Sequence, residues 1–259
     1  MTLPSIAVFI PVRLDSTRLP RKAMLDIEGK PAIVHLIERL QLSSLPQQIV
    51  LCTTTESTDD ELDGVANACG IRLCRGSKED LLKRYHQAVT ENGVDLIVNV
   101  DGDDILIDPE QVDQVAQSLL TTGADLVKCE GLPFGAAPLG VTAQALHRVC
   151  AAKDDNDTST GWSRFFTDSA EFRIETLVID EPALRHPEIR MTLDYDEDYL
   201  FFKAVFHELY RPGEPVRLRD AIRVILSRPD IRELNAGLDE KYWAHFNSHL
   251  PGSMRSRNS

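Results

Sequence analysis

The first half of the chain alternates between two kinds of apolar pattern. One kind is a short, β-branched apolar run, typical of a strand buried on both faces of a parallel sheet. Such runs occupy residues 5–12, 48–54, 71–74, 95–100 and 124–129. Between them, apolar residues recur at three- and four-residue spacing, as Ile33, Leu36, Ile37 and Leu40 do. Repeated strand–helix–strand units predict an α/β fold, in which helices cover both faces of a parallel-rich sheet.

The predicted helices of the first half have recognisable starts. They cover residues 31–42, 58–69, 77–92 and 109–121. Thr58 with Glu61, and Ser77 with Asp80, stand at the spacing of a capping box, which predicts helix starts at Thr58 and Ser77. Each of these two helices is followed by a glycine, the usual residue after a helix end.

The second half of the chain is less regular. Strands are predicted at residues 139–142, 172–179 and 189–193, and helices at residues 143–152, 161–169, 196–210, 218–227 and 239–250. No internal repeat or linker interrupts the chain. We therefore predict a single domain over residues 1–250, followed by a polar tail at residues 251–259.

Composition and charge narrow the classes of partner. The 259 residues carry a formal net charge of −13, which repels nucleic acid and anionic membranes. No segment reaches the ~20 apolar residues of a membrane span, and the N-terminus lacks the features of a signal peptide, so we expect a cytoplasmic protein. The 5 cysteines are odd in number and show no CxxC spacing, which favours buried thiols over a zinc site or disulfide framework.

The loop after the first predicted strand is basic in an otherwise acidic chain. It reads RLDSTRLPRK, and its cations are Arg13, Arg18, Arg21 and Lys22. In open α/β sheets, ligands bind beyond the carboxyl ends of the strands, and a triphosphate needs fixed cations and free backbone N–H groups. The alternative is a solvated turn. No Gly-rich P-loop or GxGxxG is present, so an ATPase or a dinucleotide-binding enzyme is not supported.

An acidic segment follows the predicted strand at residues 95–100. Residues 101–104 read DGDD, and three carboxylates this close repel one another unless a cation offsets them. One of them is therefore a candidate Mg2+ ligand. Asp108 is different, because it precedes Pro109 at a predicted helix start and N-capping alone explains it.

A second acidic segment, residues 194–198, reads DYDED. Asp194 and Asp196 point the same way if the preceding strand continues. Alternatively, Asp196 is the N-cap of the next helix, and Glu197 and Asp198 favour the positive end of that helix. One basic loop and two acidic strand ends predict a metal-dependent phosphoryl or nucleotidyl transfer site, in which positioning and charge neutralisation supply most of the catalysis.

The chain resembles the acylneuraminate/Kdo cytidylyltransferases, especially their spore-coat polysaccharide branch. The similar segments span almost the whole chain: IPVRLDSTRLPRK at 10–22, GKP at 29–31, CRGSKEDLLKRY at 74–85, GDDILIDP at 102–109, TLDYDED at 192–198, RPD at 228–230 and KYW at 241–243. The resemblance implies a Rossmann-like nucleotidyltransferase fold of the GT-A type, with a mostly parallel mixed sheet between helices.

The resemblance also implies a reaction and its residues. An acceptor hydroxyl, usually of a 2-keto-3-deoxy sugar acid, would attack the α-phosphorus of CTP to give a CMP-sugar and pyrophosphate. Arg13 and Lys22 would stabilise the departing pyrophosphate. The residues implied to bind the nucleotide are Arg13, Ser16, Arg18, Lys22, Arg75, Ser77 and Asp80, the last three near the base and ribose. Those implied to bind Mg2+ are Asp103, Asp194 and, as a candidate third ligand, Asp196.

The sequence departs from the family pattern mainly where the acceptor would bind. Residues 133–140 lack a GxDxE-like acidic pattern, and residues 157–162 lack a basic, His-containing counterpart. Asp15 replaces a small residue, and Ile105 replaces a proline. Two alternatives stay open: the same fold with another nucleotide or a sugar- or polyol-phosphate acceptor, and a non-catalytic nucleotide-binding protein. The apolar helices of the second half are candidates for a homodimer contact.

Overall fold

The computed structural model describes residues 3–154 and 161–248, which form a seven-stranded sheet, a two-stranded hairpin and the surrounding helices. The strands are β1 (Ile6–Pro11), β2 (Asp26–Ile27), β3 (Lys30–Pro31), β4 (Gln48–Thr54), β5 (Arg72–Gly76), β6 (Leu96–Asn99), β7 (Leu126–Glu130), β8 (Leu139–Thr142) and β9 (Ile174–Val178). The helices are α1 (Ala32–Leu40), α2 (Glu61–Cys69), α3 (Leu81–Asn92), α4 (Pro109–Thr122), α5 (Ala143–Ala152), α6 (Arg164–Thr167), α7 (Asp196–Leu209), α8 (Leu218–Ser227), α9 (Pro229–Arg232) and α10 (Leu238–Ser248). The tail predicted at residues 251–259 lies outside the described residues.

The large sheet has the strand order β5-β4-β1-β6-β8-β7-β9. β1 pairs in parallel with both β4 and β6, and β8 runs antiparallel to both of its neighbours. This mostly parallel mixed sheet confirms the predicted α/β fold class. Among the described residues, no helix combines the length and the apolar character that crossing a bilayer requires.

Each face of the sheet packs against its own hydrophobic core, because side chains of a strand point alternately to opposite faces. In β1, Ile6, Val8 and Ile10 enter a core shared with α1, α2, α4, α7 and α8. Ala7 and Phe9 enter the opposite core, which α3, α5 and α6 cover. The continuous apolar run of β1 is therefore explained by burial on both faces.

The sheet brings the basic and the acidic loop together. From β1 the chain runs through α1, β4 and α2 to β5 on one side, whereas β6 pairs on the other side of β1. The loops after β1 and β6 thus leave the same edge at a switch in strand order, the usual place for a ligand. Gly102 lets them touch: its N–H donates to the Pro11 carbonyl at 3.2 Å, and a Cβ there would lie 2.9 Å from the Cβ of Val12.

Two helices begin later than predicted. Residues 57–59 form a 3-10 turn, and α2 begins only at Glu61 without a side-chain cap, so the prediction of a Thr58 capping box is wrong. α3 begins at Leu81 with Asp80 as its N-cap, while the Ser77 hydroxyl accepts from the backbone N–H of Asp80 at 3.1 Å. Short polar side chains bond the nearby backbone in turns as readily as at helix starts, which is why the pattern misleads.

The predicted N-cap of α4 is confirmed. The Asp108 carboxylate accepts from the backbone N–H of Glu110 at 2.9 Å, and Pro109 occupies the first turn. This hydrogen bond explains Asp108 without a role in metal binding.

The strand predicted at residues 189–193 is wrong. Only Arg190 forms a β-bridge there, and its partner is Phe134 in the loop between β7 and β8. Farther along, the Leu193 N–H donates to the carbonyl of Asp103 at 3.0 Å. The segment is extended, but it pairs with two loops instead of a sheet strand, and it carries the following residue, Asp194, to the acidic loop.

We predict that Gly135→Ala destabilises the protein far more than Gly213→Ala. Both glycines have positive φ, +88° and +83°, so each alanine costs about 1–2 kcal/mol of backbone strain. At Gly135 the added Cβ would also lie 2.6 Å from the carbonyl oxygen of Met191, whereas nothing lies within 4 Å at Gly213. We expect an additional loss of about 2 kcal/mol or more in the free energy of unfolding, measured by urea denaturation. Equal midpoints for the two variants would contradict this close approach.

Candidate active site

A cavity of about 530 Å³ lies where the loops after β1 and β6 meet. The predicted residues that line it are Arg13, Ser16, Arg18, Lys22 and Asp103. Further lining residues include Lys78, Arg84, Asp101, Trp162, Tyr242, His245 and Phe246. The cavity thus combines cations from the basic loop with carboxylates from the acidic loop, in a chain whose net charge is −13.

The basic loop has a defined conformation because its apolar residues are buried. Leu14 and Leu19 are 3% and 5% exposed, so the cations beside them are left facing the cavity. The Leu14 N–H donates to the buried carboxylate of Asp59 at 2.7 Å, and the Asp59 carboxylate also accepts from the Thr53 hydroxyl. No sequence signal pointed to Asp59, because an acidic residue before a helix has a sufficient local explanation.

Lys22 lies between carboxylates from two distant segments. Its ammonium donates to Asp103 and, at 2.8 Å, to Asp194. Burial alone would lower the pKa of Lys22, but the charges of Asp103 and Asp194 outweigh it and raise that pKa above its ordinary value. The two carboxylates are therefore close enough to share one cation.

Asp194 is the most enclosed of these carboxylates, at 1% exposed. Besides Lys22, it pairs with Arg18 at 2.5 Å and with Arg190 at 3.2 Å. Burial alone would raise the pKa of Asp194, but the neighbouring cations, Lys22 and Arg18 foremost, lower it. Asp194 is thus held in its charged form.

Asp198 and Arg190 stabilise the position of Asp194. Arg190, itself buried, donates to both oxygens of Asp198 at 2.9 and 3.0 Å. The Asp198 carboxylate also accepts the backbone N–H groups of Asp194 and Tyr195, each at 3.0 Å. These bonds to the start of α7 agree with the predicted capping role of Asp198.

The acidic loop supplies further carboxylates. Oxygen atoms of Asp101, Asp103 and Asp104 lie within 4.8 Å of one another. Desolvation by the surrounding protein, together with the charge of Asp103, raises the pKa of Asp101 to about 6. The same two causes raise the pKa of Asp104. Such a set of oxygen donors suits Mg2+. The Lys22 ammonium, itself a cation, contacts one member of the set, Asp103.

Asp196, the predicted third metal ligand, is not brought to this set. It lies exposed in the first turn of α7, outside the group of three neighbouring carboxylates. The expectation that Asp194 and Asp196 point the same way assumed a continuing strand. The chain instead enters α7 at Asp196 with Tyr195 as the N-cap, so the alternative prediction of Asp196 as N-cap is wrong as well. The Asp196 side chain is exposed, whereas that of Asp194 is buried.

Arg75, Ser77 and Asp80 do not line the cavity. Arg75 pairs with Asp60 and Asp63 of the α2 start, at 2.7 and 3.1 Å. Ser77 and Asp80 hold the turn before α3, as described above. The geometry therefore gives no support to a role for these three residues beside the base and ribose.

The segment around Asp80 is also held by Lys153, the residue that follows α5. Asp80 forms a buried ion pair with Lys153 at 2.5 Å. The neighbouring Lys78 does line the cavity, and Arg84 lines it too while donating to the carbonyl of Ser77 at 2.9 Å. Neither was found from the sequence, because a charge on a loop or helix carries no local sign of the direction in which it points.

The departure at Asp15 alters the charge of the basic loop. Its carboxylate lies 3.3 Å from the Arg13 guanidinium and 3.3 Å from the Lys78 ammonium. Asp15 thus joins the basic loop to the loop before α3 at one side of the cavity. The other departure, Ile105, is fully buried in the core.

Comparisons with known proteins agree with this architecture. Residues 7–203 match the sequence model of the family described as cytidylyltransferase. The chain is 29% identical over 234 residues to the spore coat polysaccharide biosynthesis protein SpsF of Bacillus subtilis, covering 87% of this chain and 95% of that protein. It is 35% identical over 116 residues to the 3-deoxy-manno-octulosonate cytidylyltransferase of Pelobacter propionicus, covering 45% of each chain.

A solved structure shares the fold. A cytidylyltransferase from Leptospira borgpetersenii superposes with a TM-score of 0.80 at 24% identity, covering 89% of this chain and 98% of that one. The chain therefore shares the overall fold of that protein.

We predict that Arg190→Met lowers the free energy of unfolding by about 3–5 kcal/mol, because it leaves the buried carboxylates Asp194 and Asp198 without their shared cation. The matched control is Arg228→Met, since Arg228 pairs with Asp230 and Glu208 at the surface. That variant should keep the wild-type midpoint of denaturation. Equal losses for both variants would show that the Arg190 network contributes no more than surface ion pairs do.

Proposed function

The chain belongs to the cytidylyltransferase family, and we propose that it transfers CMP from CTP to a sugar acid of the 2-keto-3-deoxy type, giving a CMP-sugar and pyrophosphate. The main support for this proposal is the position of the Lys22 ammonium, between Asp103 and Asp194 and beside the basic loop. The name of the Pelobacter propionicus relative supports the choice of acceptor. The name of the Bacillus subtilis relative supports a place in polysaccharide biosynthesis.

The cations of the cavity would bind the triphosphate. Arg13, Arg18 and Lys22 come from one loop, and Lys78 faces them from another. Charges closer than the screening length of about 8 Å act on the ligand more strongly than the distant acidic surface does. Arg13 and Lys22 would also stabilise the charge on the departing pyrophosphate.

Asp103 and Asp194 would hold Mg2+, with Asp101 replacing Asp196 as the third candidate ligand. A divalent ion bound there would neutralise phosphate charge and orient the reacting groups. Lys22, released from the two carboxylates, would then be available to the phosphates. Its position between them in the structure supports this exchange, because one cation would be replaced by another.

The acceptor would bind beside Gly161 and Trp162, which line the cavity. The neighbouring residues 155–160, which include most of the altered stretch at 157–162, lie outside the described residues. The other altered stretch, residues 133–140, contacts the segment before Asp194 through Phe134 and Gly135.

We expect pyrophosphate release when the protein is incubated with CTP, Mg2+ and a panel of 2-keto-3-deoxy sugar acids. Sugar phosphates and polyol phosphates in the same panel test the alternative acceptors. Thermal-shift measurements with each nucleotide test the choice of CTP, since a ligand at 100 times its Kd stabilises by about 2.7 kcal/mol. A larger shift with ATP, GTP or UTP, or no release with any acceptor, would overturn the proposal.

We predict that Asp103→Asn lowers the rate of pyrophosphate release by about 100-fold or more, because a neutral amide is a poor Mg2+ ligand and several kcal/mol of charge stabilisation are lost. Addition of a chelator to the wild-type protein should have a similar effect. The matched control is Asp196→Asn, which should stay within about twofold of the wild type because Asp196 is exposed away from the carboxylate group. A larger loss for Asp196→Asn than for Asp103→Asn would reverse the assignment.

A further inference from the structure

We propose that Tyr242 of α10 positions Arg18 for phosphate binding, so that the C-terminal helix completes the nucleotide site. The proposal rests on the proposed function, because it assumes that Arg18 binds phosphate. Residues 7–203 match the family model, and α10 lies beyond them. Yet Tyr242, His245 and Phe246, all from α10, line the same cavity as Arg18 and Lys22.

Arg18 has both an ionic and an aromatic contact. Its guanidinium donates to Asp194 at 2.5 Å, and its central carbon lies 5.3 Å from the ring centroid of Tyr242 and 5.7 Å from that of Tyr195. Both ring distances fall within the range of cation–π attraction, about 6 Å. The rings therefore restrict where the guanidinium lies, independently of Asp194.

This restriction matters because the ionic contact is shared. Asp194 also pairs with Lys22 and Arg190, and under the proposed function it would bind a divalent ion. Arg18 would then lose part of its attraction to Asp194. The ring contact carries no net charge, so it persists and keeps a long, flexible side chain at the cavity wall.

The position of α10 is itself set by the residues behind Asp194. Arg190 lies 3.4 Å from Asp239 in the first turn of α10. In the turn before the helix, the Asn235 side-chain amide donates to Asp198 at 3.0 Å and to the carbonyl of Arg190 at 3.3 Å. The buried ion-pair network that supports Asp194 therefore also places the Tyr242 ring.

Aromatic packing against other residues also keeps the Tyr242 ring in place. Tyr242 contacts Phe134 at 5.0 Å between ring centroids and stacks on Phe246 at 6.2 Å with an interplanar angle of 20°. Trp243, the next residue, is 47% exposed and does not line the cavity. Tyr242 and Trp243 thus share the aromatic packing of α10, whereas Tyr242 also contacts Arg18 and, at 5.2 Å from its ring centroid, Arg190.

The test compares Tyr242→Leu, Tyr242→Phe and the matched control Trp243→Leu. Calorimetry measures the Kd of CTP and of inorganic pyrophosphate, each with Mg2+, and thermal unfolding verifies that the variants are folded. We expect Tyr242→Leu to weaken the binding of both ligands by about 2- to 5-fold. Tyr242→Phe should bind as the wild type does, because it keeps the ring, and so should Trp243→Leu.

A second readout does not depend on any ligand. The side-chain Nε–H signal of Arg18, identified by its loss in Arg18→Lys, should shift in NMR spectra of Tyr242→Leu, because the neighbouring ring is removed. It should stay in place in Trp243→Leu. The signal reports the position of Arg18 whether or not CTP is the substrate.

The outcomes separate the two proposals. An unchanged Arg18 signal in Tyr242→Leu, or equal losses of affinity in Tyr242→Leu and Trp243→Leu, would overturn the positioning role. A loss in Tyr242→Phe as large as in Tyr242→Leu would assign the effect to the hydroxyl and overturn it as well. If the wild type binds pyrophosphate but not CTP, and the Arg18 signal responds as expected, the positioning role stands and the choice of nucleotide falls.

Discussion

The contact of the Lys22 ammonium with Asp103 and Asp194 is the interaction on which the site depends. It joins the loop after β1, the loop after β6 and the segment before α7, and Lys22 and Asp194 are 172 residues apart in the chain. Carboxylates that approach one another repel unless a cation lies between them. The protein supplies that cation itself, through the side chain of Lys22. The same contact keeps the Lys22 ammonium beside the basic loop, where the proposed exchange for a divalent ion would release it to the phosphates.

Asp194 can be buried only because several cations and backbone groups surround it. A lone buried carboxylate would cost several kcal/mol or take up a proton. Arg190 meets this requirement and binds Asp198 as well, whose carboxylate accepts backbone N–H groups at the start of α7. The same arginine lies beside Asp239 of α10. Stability and site geometry therefore share one network, and the C-terminal helix belongs to it even though it lies beyond the residues that match the family model.

Features that depend on neighbouring residues are predictable from this sequence, whereas features that depend on distant contacts are not. Strands buried on both faces were recognised from continuous apolar runs, and the Asp108 cap from its place before Pro109, because both signals lie within a few residues. The starts assigned to Thr58 and Ser77 were wrong, because their hydroxyl groups can serve a turn as well as a helix. The strand at residues 189–193 was wrong for a different reason. Its extended backbone is paired with loops, and an apolar pattern does not reveal the partner of an extended segment.

The fold class, the resemblance to the cytidylyltransferases and the loop that carries the site's cations all follow from the amino-acid sequence alone. These depend on periodicity and on short motifs, which are local properties of the chain. The folded arrangement was needed to establish that Asp103 and Asp194 share the Lys22 ammonium while Asp196 is exposed. It was also needed to show that Lys78 instead of Arg75 lines the cavity and that Tyr242 contacts Arg18. The direction of a charged side chain depends on packing between segments far apart in the chain, and no local pattern encodes it.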